Sequence, residues 1–184
     1  MNITVTVPPA EEPVTVEEAK EFARITDSAE DAVVERLITV AREKVEAFTQ
    51  RALLTQTVVQ RWDCWPRWME MLRAPVASVT SLQYIDVNGA TQTVSSANYY
   101  TDLVSEPARL VAIPTYSWPM LQDGRPNAVV LTYVAGHADA DDVPQGIKIA
   151  IMQLVRYSFD EEGGQRQAAM PEHVRDTLWP YRIP

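Results

Sequence analysis

At 184 residues, 46% of them hydrophobic, the chain can build one packed domain, or a compact domain carrying an inserted lobe, and it lies outside the composition of disordered proteins. A formal charge of −9 and a pI near 4.7 argue against a surface that grips nucleic acid, which needs clustered Lys and Arg to neutralise phosphates. The single cysteine, Cys64, excludes an intrachain disulfide and a thiolate zinc cluster.

No apolar run approaches the ~20 residues that span a bilayer, and Met1 to Pro8 has no basic stretch followed by an apolar one. The expectation is a soluble protein, or a part assembled in the cytosol, with no membrane partner. Residues 1–13 alternate Ile3, Val5 and Val7 with Asn2, Thr4 and Thr6, the period of a strand or extended arm, and Pro8, Pro9 and Pro13 prevent a helix.

A first helix is expected from Thr15, whose Thr-Val-Glu-Glu run is a capping box, to about Ile25. Asp27 to Asp31 opens a second, longer helix reaching Gln50. Val34, Leu37, Ile38, Ala41, Val45 and Phe48 recur at three- and four-residue steps and define its core stripe. Arg36, Arg42, Glu43 and Glu46 fall largely off the stripe and are expected to face solvent or a partner.

From Leu54 onward β-branched and aromatic residues become dense. Strands are expected over 55–62, 76–85, 91–94, 99–101 and 128–134. Asn88-Gly89 reads as a type I′ hairpin turn. Pro66, Pro75, Pro107, Pro114, Pro119 and Pro126 are expected to confine strands to short pieces at sheet edges. Helix returns at Val143-Pro144, with proline at the first helical position and Ile147, Ile151, Leu154, Val155 and Ser158 on the buried face. Glu161-Glu162-Gly163-Gly164 ends it, and a last short helix runs from Pro171-Glu172 through Trp179.

These elements predict an α+β fold: an antiparallel helical body, made of two N-terminal helices and a third near 144–160, with an inserted small antiparallel β lobe and a short C-terminal helix. The boundaries are 1–13 for an N-terminal arm, 14–53 and 136–164 for the helical body, 54–135 for the β lobe, and 165–184 for a C-terminal helix and tail.

Chemistry is hard to find in this sequence. Its six glycines form no dinucleotide-binding or phosphate-cradling pattern, and a serine hydrolase elbow is missing. No cofactor is implied and no catalytic residue stands out. The one metal-like pattern is His137 with Asp139 and Asp141, but it lacks the glycine and distal Glu of a calcium loop. The plainer reading is a polar turn whose acids precede a helix N-terminus. His173 reads as a surface or interface residue. Cys64, among Trp62, Trp65 and Trp68, reads as a packed thiol in an aromatic patch. Without interleaved cations, the tryptophans read as packing residues in the core or at a subunit interface, not as a base-stacking platform.

The succession of segments resembles the head–tail connector (adaptor) proteins of long-tailed bacteriophages and gene transfer agents. The resemblance is carried by Val14-Thr15-Val16-Glu17-Glu18-Ala19-Lys20, then Arg24-Ile25-Thr26-Asp27, then the long helix from Asp31. It continues through Arg51-Ala52-Leu53-Leu54-Thr55-Gln56-Thr57, Pro75-Val76-Ala77-Ser78-Val79, and Tyr133-Val134-Ala135-Gly136 ahead of Val143-Pro144. No single motif is specific; their order is.

The resemblance implies a structural subunit and no enzyme. It implies a ring of copies, twelvefold by expectation, lying under a portal protein and meeting a stopper, head-closure or tail-terminator protein, with DNA passing through without sequence-specific binding. The protein would then reside in the neck of a virion or phage-like particle assembled in the bacterial cytoplasm. Val174, Leu178, Trp179, Tyr181 and Arg182 are the expected portal-binding residues, and Trp62, Trp65, Trp68, Arg36 and Arg42 the expected subunit or stopper interface. The alternatives are a head-closure or tail-terminator protein, or a small metal-dependent enzyme using His137, Asp139 and Asp141.

Overall fold

A computed structural model describes residues 1–160 and 170–183. The chain is α+β, with four α-helices and all-antiparallel sheets among the described residues. It divides into two compact units, Met1–Pro9 with Thr55–Gly136, and Ala10–Leu54 with His137–Pro184. Glu161-Glu162-Gly163-Gly164, read as a helix end, lies outside the described residues.

In the helical unit, α1 (Val16–Ala23) begins where the capping box places it. The Thr15 hydroxyl accepts from the Glu18 N–H (3.1 Å) and the Glu18 carboxylate accepts from the Thr15 N–H (2.8 Å). Arg24, in the left-handed region at φ 61°, stops it. Asp27 then caps a 3-10 turn, Ser28–Glu30, through the Ala29 N–H, and α2 (Asp31–Thr49) follows. Val34, Ile38, Ala41 and Val45 of the stripe are buried, with Leu37 and Phe48 half-buried beside them. They pack on α3 (Gln145–Asp160) through Ile147, Ala150, Ile151, Leu154 and Val155. Val174 and Leu178 of α4 (Glu172–Leu178) complete this core.

Arg42 and Glu46 depart from expectation: they are buried, 5% and 7% exposed. Glu12, from the stretch read as an arm, accepts from the Arg42 Nε at 2.7 Å and from the Thr39 hydroxyl at 2.9 Å. Glu46 accepts from Arg42 at 3.0 Å and from the Leu53 N–H at 2.9 Å. One guanidinium thus ties the segment before α1, the middle of α2 and the chain leaving α2. Burial alone would depress its pKa, but the hydrogen bond and charge of Glu12, with the charge of Glu46, outweigh burial and hold it above the ordinary value. Stepwise periodicity missed this because the partner, Glu12, lies thirty residues away.

In the other unit, β1 (Asn2–Val7), β2 (Gln56–Trp62), β4 (Val76–Ile85), β5 (Thr91–Thr93) and β8 (Val129–Ala135) form a sheet ordered β1-β2-β8-β4-β5. The stretch 2–7 is therefore a strand paired with β2 of its own chain, Asn2 opposite Arg61 and Val5 opposite Val58. Strands β3 (Met69–Met71), β6 (Tyr99–Asp102) and β7 (Ala108–Ala112) form a second sheet ordered β3-β7-β6. Burial alternates along β8, where Val129, Leu131, Tyr133 and Ala135 are inside. The fully buried Gln60 joins the two sheets. Its amide donates to the Glu70 carbonyl (2.8 Å) and accepts from the Tyr133 hydroxyl (3.2 Å), and burial raises the Tyr133 pKa far above its usual value.

Two expectations are corrected here. Pro75 and Pro107 directly precede β4 and β7, so prolines mark strand starts without keeping them short, and β4 runs ten residues beside the central β8. The hairpin after β4 is not type I′. Only Gly89 has positive φ, at 81°, and its N–H donates to the Asp86 carbonyl (2.9 Å), giving a three-residue loop with glycine in the left-handed position. The Asp86 carboxylate selects that loop by accepting from Asn88, Ala90 and Gln92, and these bonds lower its pKa.

Replacing Arg42 with Ala strands two carboxylates, one of them buried, and is expected to remove about 3 kcal/mol of stability. Thermal unfolding should show a midpoint about 8 °C lower; an unchanged midpoint would contradict the role given to this ion cluster.

Candidate interaction surfaces

The C-terminal segment splits into two faces. Val174 and Leu178, expected to bind a partner, are fully buried against the helical core, because α4 is amphipathic and its apolar side is already used within the chain. After α4, a 3-10 turn over Trp179–Tyr181 leads into an extended end. Arg51 donates from Nε to the Tyr181 carbonyl (2.6 Å), the Ile183 N–H donates to the Thr49 carbonyl (3.0 Å), and Ile183 is buried. Tyr181 lies over Gly146 in the first turn of α3 so closely that a Cβ there would meet its hydroxyl at 2.5 Å. Trp179 remains outside, 61% exposed, and the exposed Arg182 lays its guanidinium between the Trp179 and Phe48 rings, 5.6 and 5.8 Å from their centroids. Of the five expected docking residues, then, Trp179 and Arg182 present themselves outward, Tyr181 is half-buried, and two belong to the core.

The tryptophans also divide. Trp62 ends β2 and is half-buried. Trp65 stacks on Trp118, centroids 4.5 Å apart and planes 8° from parallel, and its indole N–H donates to the Pro119 carbonyl (2.8 Å). Trp118 went unnoticed in the sequence because it lies far along the chain in a proline-rich loop. Cys64 is exposed, contrary to the packed thiol expected, because Trp65 and Trp118 satisfy one another and the turn after β2 leaves residue 64 outside. Trp68 is 45% exposed, with Arg67 over its ring at 5.2 Å.

Trp68 borders the outer face of the β3-β7-β6 sheet, of which the sequence reading places only the β6 strand. Tyr100 stands opposite Val111, and the two are 64% and 40% exposed. Beside them Arg109 stands opposite both Glu70 and Asp102. β3 escaped the strand reading because Met69-Glu70-Met71 has no β-branched or aromatic residue, and β7 escaped it although Ala108 and Leu110 alternating with Arg109 and Val111 was the available signal. Asp102 accepts from the Ser105 hydroxyl (2.6 Å), from Arg109 (2.9 Å) and from the Ser105 N–H (3.1 Å). These bonds, Ser105's first, hold its carboxyl well below the usual range.

Arg36 is exposed on α2, whereas Arg42, expected at the same interface, is buried in its ion cluster. His137 and Asp139 precede a 3-10 turn over Ala140–Asp142, and Asp141 reaches the buried Lys148 at 3.7 Å. Asp139 makes no side-chain capping bond. Among the described residues, no three His, Cys, Asp or Glu side chains are grouped so as to hold a metal ion.

The fold is that of an α+β protein whose outward features, among the described residues, are exposed aromatic and arginine side chains and ion pairs. The family model for head completion protein matches residues 12–183, and the chain belongs to that family. Among solved structures, a chain in the neck of an empty gene transfer agent particle, computed with C6 symmetry, has the same fold at 22% identity and a TM-score of 0.80, covering 100% of this chain and 96% of its own. A chain in the virion of a native gene transfer agent particle aligns over the same shares at 22% identity and a TM-score of 0.77. A chain in the native neck with C12 symmetry does so at 21% and 0.73. No curated protein sequence matches.

Two outcomes follow. Gly146→Ala is expected to dislodge Tyr181 at a cost of about 1–3 kcal/mol, seen as faster proteolytic removal of the C-terminal residues than in the unaltered protein. The depressed Asp102 pKa means that its stabilising contribution is present above the unfolded carboxylate value and lost as pH falls through the folded one. An NMR titration should therefore find the Asp102 midpoint well below ~3.9, and Arg109→Gln should move it upward. A midpoint at the ordinary value would refute the Ser105–Arg109 clamp.

Proposed function

We propose that this protein is a structural adaptor of the head–tail neck of a tailed phage or gene transfer agent. Copies arranged in a ring, twelvefold by this reading, join the portal to the next neck component and leave a channel for DNA. The observation that carries the proposal is membership of the head completion family together with a fold shared along the whole chain with subunits of gene transfer agent necks. The cyclic symmetry of those necks supports a ring. The net charge of −9 suits a channel wall past which phosphate slides without sticking. In this reading the chain performs no catalysis and its outward residues bind protein. Trp179 and Arg182 form the portal-facing contact; Trp68 and Arg36 contribute to subunit or stopper contacts.

The test is genetic. Removing the gene from its native particle should yield DNA-filled or emptied heads separated from finished tails in electron micrographs. Purified protein should restore joining, and the double variant Trp179→Ala, Arg182→Ala should restore it at least about tenfold less well, as for loss of an aromatic–arginine hot spot. Normally joined particles without the gene would refute the adaptor reading.

A further inference from the structure

Strand β1 lies at the end of the five-stranded sheet, with β2 on one side and, among the described residues, no strand on the other. A free strand edge presents backbone N–H and C=O groups that can pair with another chain, and natural sheets blunt it with charge, proline or brevity. The remaining outer strands follow that rule. β5 has three residues, and β3 and β6 carry Glu70 and Asp102. β1 does not. Its six residues, Asn-Ile-Thr-Val-Thr-Val, include neither charge nor proline, and Val5 and Val7 stand 41% and 56% exposed.

We propose that the free edge of β1 is an assembly edge, covered in the ring by an extended segment of a second copy of this chain. The proposal rests on the ring reading above and adds which surface joins the copies. Backbone groups on an edge are satisfied by another extended backbone, so the occupant is polypeptide. Charge then favours a second copy approaching here. Of the chain's 25 acidic and 16 basic residues, the unit holding β1 has six and five, whereas the helical unit has nineteen and eleven. Two copies of so acidic a chain repel least where the nearly neutral unit forms the contact. Pairing of β1 with β1 would be a two-fold contact that ends at a dimer. A ring instead requires β1 to meet a different segment of its neighbour.

The test uses assembled particles in which position 5 carries a benzophenone amino acid in place of Val5. Irradiation should give a species of twice the 20.7 kDa chain mass, and peptide mapping should join position 5 to another region of the second copy. Cross-linking to a different neck protein, to residues 2–7 of the second copy, or to nothing although the chain is present would each overturn the proposal. Particles that join normally and contain no copy of the chain would overturn the adaptor reading itself, and the edge proposal with it. A second variant, Val5→Lys, restores the missing guard. It should melt within about 2 °C of the unaltered protein, since exposed substitutions perturb stability little, yet lower the yield of joined particles at least about tenfold. An unchanged yield would overturn the proposal.

Discussion

The antiparallel ladder between β2 and β8, running from Gln56 opposite Ala135 to Trp62 opposite Val129, sets the start and the end of the stretch Thr55–Gly136 side by side. The helical unit depends on it. Its two sequence segments end at Leu54 and resume at His137, and these residues meet in a parallel bridge, with the His137 N–H donating to the Leu53 carbonyl at 3.2 Å. A long insertion between two packed segments costs loop-closure entropy that grows only slowly with length. A paired entry and exit reduces the effective span to neighbouring strands. The α2–α3 core can then form as though α2 led almost directly into α3, and every outward residue of the helical unit is positioned by that core.

Polar groups placed inside serve this arrangement. Arg42 with Glu12 and Glu46 holds the chain as it enters α1 and as it leaves α2, while Gln60 holds the small sheet to the large one. Each would be expensive to bury alone and is tolerated because its donors and acceptors are matched. Apolar packing slides more readily than a fixed hydrogen-bond pattern, so such clusters give the units definite registers.

Membership of the head completion family accords with what the surface offers. Most of the side chains that sequence reading singled out fall on one side or the other once burial is known, with Trp62, Trp65 and Tyr181 half-buried between them. Trp179, Arg182, Trp68 and Arg36 are outward and can meet other proteins; Val174, Leu178 and Arg42 are inward and hold the subunit itself together. The two roles are alike in composition, both drawing on large apolar side chains and arginine, and so they cannot be separated by residue type.

Local rules were enough for whatever is governed by neighbours along the chain. The Thr15 box, the stripe from Val34 to Val45, the proline before α3, and the strands 56–62, 76–85 and 129–135 are legible because capping and periodicity act within a few residues. The order of motifs also identified the kind of protein, since it preserves the order of elements even where no single residue is diagnostic. The tertiary structure decided the rest. It paired Asn2–Val7 with a strand fifty or more residues away, turned Arg42 inward to Glu12, exposed Cys64 by stacking Trp65 on Trp118, and drew Val174 and Leu178 into the core. In each case the deciding partner is distant in sequence, and periodicity reveals that a face is apolar without revealing whether it is covered by the same chain or by another.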